Sequence, residues 1–127
     1  MTILLSCLLI AMLLPYLSKL PVGYAMAKDG GYDNAHPRAQ QARLTGMGAR
    51  AVAGHQNAFE SLLIFGLAVV ALLAVGKVNA TAEVAAVIHV IARIAYHIFY
   101  LSNHNRLRSL SWFAGIIPSF VIIAQCF

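Results

Sequence analysis

Two segments place charged and hydrogen-bonding side chains at helical spacing inside otherwise apolar stretches. The first reads Arg50-Ala-Val-Ala-Gly-His-Gln-Asn-Ala-Phe-Glu60. On a helical wheel Arg50, Asn57 and Glu60 fall at about 0°, 340° and 280°, so Asn57 lies between the other two on one broad face. The second carries His89, Arg93, Tyr96 and Tyr100 at i, i+4, i+7 and i+11, a single narrow stripe. Arg106 and Arg108 follow at the start of the last apolar run. A charged side chain in the middle of an apolar span costs roughly 2.5–3.5 kcal/mol on insertion, so each of these needs a partner or a wet cavity.

Glu60 and Arg93 are the obvious partners, and a buried ion pair between their helices is expected. Tyr100 lies near a span end, where aromatic residues anchor at the interface, and Tyr96 lies one turn deeper and needs an interior partner. Arg106 and Arg108 both fit interfacial anchors, and only one of them can easily point inward. His97 and His104, at i and i+7, lack a third ligand, so no metal site is expected. Cys7 and Cys126 form no CxxC or Cys/His pattern. They read as packed thiols, with a disulfide open as the alternative because an even span count brings both to one side.

The elements that hold these residues must be membrane helices. Of 127 residues, 61% are hydrophobic and 10% charged, too apolar for a short soluble domain to hide in one core. Spans are expected at about Thr2–Leu20, Gly46–Val75, Ala80–Ser102 and Leu107–Phe127, each long enough for a roughly 30 Å hydrocarbon layer. The fold class is therefore an all-α integral membrane protein, a four-transmembrane-helix bundle in a single domain over residues 1–127. The first apolar run lacks a basic leader and a prompt small-x-small cleavage site, so it reads as a retained span. Pro15 is expected to kink it. Residues 21–45 read as a polar, non-helical loop punctuated by Gly30-Gly31 and Pro37.

The net charge is +5, from nine Lys and Arg against four Asp and Glu. The basic residues are neither clustered nor interleaved with exposed aromatics, so nucleic acid is not expected as a partner. They gather in the first and third loops, which places those loops in the cytoplasm and both termini outside. Arg50, Asn57, Tyr96, Tyr100 and Arg108 then share the cytoplasmic half. Together they form a net-positive pocket suited to a small anionic molecule that meets an apolar one arriving from the bilayer.

The Arg50–Glu60 segment resembles the second-helix signature of the MAPEG family, the membrane-associated proteins in eicosanoid and glutathione metabolism. Arg93-Ile-Ala-Tyr-His-Ile-Phe-Tyr100 and Arg108-Ser-Leu-Ser-Trp112 resemble its third helix and the start of its fourth. Asn34-Ala-His-Pro-Arg38 is similar to the first loop of bacterial members. The resemblance implies a homotrimer of four-helix subunits in a membrane, here the bacterial inner membrane. It implies glutathione as co-substrate between neighbouring subunits, and lipophilic electrophiles or lipid peroxides as second substrates. By position it makes Arg108 the holder of the glutathione thiolate with Ser109 beside it. Asn57, Glu60, Tyr96 and Tyr100 become glutathione-site residues, and Trp112 occupies the usual aromatic position. Ala53 departs from the pattern, because several eukaryotic members carry there an arginine that takes a glutathione carboxylate. Arg50, one turn earlier, or a basic loop residue is the candidate substitute. Gln56 also stands where some relatives have a basic residue.

Three functions follow as expectations. The first is a glutathione-dependent transferase or peroxidase, which Arg108 and Tyr100 favour. The second is a non-catalytic lipid-binding or scaffolding protein of the same fold, which Ala53 favours. The third, a small transporter or channel subunit, is disfavoured by the lack of inverted repeats and broken helices.

Overall fold

The computed structural model describes all 127 residues. They form six helices: α1 (Thr2–Leu17), α2 (Lys19–Lys28), α3 (Pro37–Arg43), α4 (Gly46–Ala74), α5 (Ala80–Leu101) and α6 (Asn105–Ala124). Taken together, α1 and α2 make one span over Thr2–Lys28, and α4, α5 and α6 make three more. The bundle is a multi-pass membrane fold, and its packing is inverted relative to a soluble protein. Large apolar side chains such as Leu9, Leu63, Leu67, Ile91 and Phe120 point outward. Small ones face inward: Ala11, Ala68, Ala82, Ala85 and Ala86 are buried around Leu4, Phe65, Leu72 and Ile122. Lipid supplies no hydrophobic drive between helices, so close backbone approach through small residues holds them together.

The span ends fall close to expectation, apart from the first loop. The helix continues well past Leu20, to Lys28, and a further helix begins at Pro37. Pro21 explains the first difference. It sits in the opening turn of α2, where a missing N–H is harmless, so it restarts the helix instead of ending it. The break itself is at Ser18, not at Pro15. Pro21 cannot donate to the Leu17 carbonyl, and the chain turns just before it. The Pro15 carbonyl accepts from His55 Nδ1 at 2.8 Å and from Ser18 Oγ at 2.9 Å. A side chain of α4 thus holds the discontinuity of the first span, and α1 and α2 both pack on α4.

Beyond α2 the chain turns at Gly30 and Gly31, both at positive φ. The fully buried Gln40 ties this turn to α3. Its Nε2 donates to the carbonyls of Met26 and Gly31, and its Oε1 accepts from Asp33 N–H. At the other end of the bundle Lys77 Nζ donates to the carbonyls of Cys126 and Phe127, and the Met1 ammonium meets Glu83. Both chain ends therefore lie on one side, as four spans require. Cys7 is buried and Cys126 half-buried, and both are free thiols, so the disulfide alternative is not realised.

Candidate functional site

The polar stripe of α5 faces α6, the helix with which α5 packs most extensively. His89, Arg93 and Tyr96 are buried and Tyr100 is half-buried. His89 stacks on Phe65 at 3.9 Å, with planes only 6° apart, and its Nδ1 donates to the Gly115 carbonyl at 2.8 Å. Pro118 leaves the neighbouring Ala114 carbonyl without a helical donor, next to the carbonyl that His89 binds. The role of His89 is to seat α5 on α6 one turn before Arg93.

Arg93 crosses toward α4 between two close neighbours. A Cβ built on Gly115 would lie 2.9 Å from Arg93 Cδ, so only glycine leaves room for the arginine stem. The guanidinium lies 4.1 Å from the Tyr96 ring centroid, a cation–π contact in an apolar setting. Its Nη2 donates to Asn57 Oδ1 at 2.6 Å, and Asn57 Nδ2 donates to Glu60 Oε2 at 2.7 Å.

This geometry corrects the expected Glu60–Arg93 ion pair. No direct contact forms, because Asn57 stands between the two charges and bonds to both. Glu60 is also exposed on the surface of the single chain and not sunk in its interior. Asn57 is the residue whose structural importance the spacing underrated. Its position between Arg50 and Glu60 on the wheel was legible, but its partner on α5 was not.

The remaining residues gather around a cavity of about 280 Å³ lined by Asn57, Tyr96, Tyr100, Arg108, Ser109 and Trp112, with Phe113 added. Arg108 rests over the Tyr100 ring, its Cζ 4.7 Å from the centroid. It makes no ion pair, and no hydrogen bond engages its side chain. Tyr100 in turn meets the edge of Tyr96 at 5.5 Å and 88°. The stack Arg93–Tyr96–Tyr100–Arg108 links a committed cation to a free one. Ser109 Oγ donates to its own helix at the Asn105 carbonyl and stands exposed beside Arg108. A narrower cavity of about 60 Å³ adjoins, bounded by Asn57, Glu60, Arg93 and Trp112.

Arg50 is not part of this cavity. Its Nη2 donates to the Leu101 carbonyl, and the side chain lines a different cavity on the far side of Tyr100. Arg50 sits in the second turn of α4, and its side chain reaches the end of α5. The expectation that it shares a pocket with Asn57 and Arg108 therefore fails.

The site thus offers one unpaired guanidinium, two tyrosine rings, an amide and an indole around an open cavity. Such a set can attract an anionic group and hold it beside an apolar wall. The MAPEG family model matches residues 3–127. No curated protein and no solved structure matches the chain.

Proposed function

The chain belongs to the MAPEG family, and from that premise we propose that it is a membrane-bound glutathione-dependent transferase or peroxidase acting on lipophilic electrophiles or lipid hydroperoxides. The observation that carries the reading is Arg108, a guanidinium held over the Tyr100 ring with no anionic partner of its own. A free thiol has a pKa of about 8.5, so little of it is thiolate at neutral pH. Guanidinium groups keep their charge across the working pH range, and a thiol placed against one ionises more readily. The thiolate then attacks the electrophilic carbon, a carbon–sulfur bond forms, and the leaving group departs with the bonding pair.

Other residues divide the remaining tasks. Asn57 and Glu60 offer an amide and a carboxylate to the peptide part of glutathione. Tyr96 and Tyr100 wall the thiol region, and Trp112 supplies the apolar face that a lipophilic partner meets. Ser109 stands close enough to Arg108 to hydrogen-bond the same anion. The cavity is open at the edge of the single chain, which suits a homotrimer whose neighbouring subunit closes it. The basic first and third loops favour a cytoplasmic mouth, with both termini on the other side of a bacterial inner membrane.

Titration of glutathione into the purified trimer, followed by thiolate ultraviolet absorbance, tests this. A saturable signal that disappears in Arg108→Ala supports the enzyme. Absence of both binding and thiolate in folded protein would favour the second reading, a non-catalytic lipid-binding scaffold. That reading draws on Ala53 and on the diversion of Arg50 to another cavity, which leave the thiol site with a single free cation.

A further inference from the structure

A second cavity, of about 180 Å³, lies in the notch where α1 breaks into α2. Its apolar walls come from three helical stripes, with Leu14 and Leu17 on the first span, Gly54 on α4, and Ile94 and Ile98 on α5. A dry protein cavity of about 150 Å³ accepts a benzene-sized guest, so this one has room for one slim apolar segment.

Four polar side chains, those of Ser18, Arg50, His97 and Tyr100, interrupt the apolar lining, and two of them carry an unpartnered atom. Arg50 Nε and His97 Nε2 are shielded from solvent and bond to nothing in the chain. Leaving a buried donor unmade costs about 1–3 kcal/mol, and more for a charged group. Native structures rarely keep such atoms unless something else completes them.

The order of residues along the helices gives the cavity a direction. Arg50 and Leu101 lie at the loop end, His97 and Gly54 one turn further in, and Ile94 and Leu14 deeper still. Leu17 and Ile98 are more than half exposed, so the cleft opens sideways on the apolar outer surface of the bundle. A cation at the water level above an oily slot complements a chain molecule with one anionic end. The volume suits one chain and not two.

We propose that this cleft binds a single-chain amphiphile with a carboxylate head. The carboxylate meets the Arg50 guanidinium at the loop end, and the chain runs inward past His97 between Leu14 and Ile94. Tyr100 lines this cleft as well as the Arg108 cavity, so the occupant touches the ring on which the Arg108 guanidinium rests. The proposal does not depend on thiol chemistry.

The test is titration of a fluorescent polyene fatty acid into the protein in zwitterionic nanodiscs, with oleate, oleyl alcohol and an anionic phospholipid as competitors. One saturable site per subunit is expected. Arg50→Leu should weaken it about tenfold or more, the loss of one charge-assisted hydrogen bond. Leu17→Trp should close the slot without disturbing the core, because Leu17 is exposed. Oleate should displace the probe far better than either the alcohol or the phospholipid. Equal displacement by the alcohol, equal displacement by the phospholipid, unchanged binding in Leu17→Trp, or no saturable binding by the folded wild type would each overturn the proposal.

Discussion

Arg93 and Glu60 communicate through Asn57, which accepts from the arginine at 2.6 Å and donates to the glutamate at 2.7 Å. The amide is suited to this place because it carries one acceptor and two donors on adjacent atoms. It neutralises no charge, yet it satisfies a buried guanidinium and steers an exposed carboxylate. The cavity at Arg108 and the narrower one beside it share Asn57 and Trp112, so the bridge forms part of the wall that both use.

Because the bridge runs through Asn57, its removal should cost more than removal of the glutamate charge. Asn57→Ala leaves Arg93 buried without its best acceptor and is expected to destabilise the bundle by about 1.5–3 kcal/mol. Glu60→Gln keeps an acceptor for Asn57 Nδ2 and should cost under about 1 kcal/mol, as for exposed pairs. Thermal melts of both variants in one detergent decide the order. A larger loss for Glu60→Gln would restore the direct ion pair.

Gly115 and Arg93 should behave as one unit. Gly115→Ala places a methyl where Arg93 Cδ now passes, and overpacking of this kind costs about 1–3 kcal/mol. In an Arg93→Met background the stem is more pliable and its head is no longer tethered, so the alanine should be tolerated much better. A double-mutant cycle measures the difference, and strict additivity would show that the two side chains do not compete.

His55 is expected to hold the break in the first span. Its replacement by phenylalanine keeps the ring but leaves the Pro15 carbonyl with Ser18 Oγ alone. Faster amide hydrogen exchange at residues 17–20 should follow, with the rest of α1 unchanged. Uniform exchange across the span would show that the break needs no support from α4.

At the proposed thiol site the support under Arg108 should be separable from its charge. Tyr100→Phe preserves the ring beneath the guanidinium and should leave the thiolate signal nearly intact. Tyr100→Leu removes a cation–π contact of about 0.5–2 kcal/mol and should raise the glutathione concentration at half-saturation several-fold. Arg108→Lys keeps the charge but not the planar stack, and an intermediate signal is expected. Equal signals in Tyr100→Leu and wild type would show that the ring does not position Arg108.

Four spans, the lengths of the last three and the polar stripe of α5 were legible in the sequence, because hydropathy and helical period are local properties. The family resemblance was also carried by local motifs around Asn57, Tyr100 and Arg108. What the sequence left undecided were relations between helices. A wheel shows that Asn57 and Glu60 share a face, but only the approach of α5 places Asn57 between Glu60 and Arg93. The same wheel puts Arg50 broadly beside Asn57, whereas the crossing of α4 and α5 sends it to the opposite side of Tyr100. Pro15 reads as the kink of the first span, yet the break falls at Ser18. Its place depended on Pro21, which leaves the Leu17 carbonyl without a helical donor, and on His55 reaching across from α4. Side-chain type and spacing fix what a residue can do, and the rotation and crossing of packed helices decide which partner it meets.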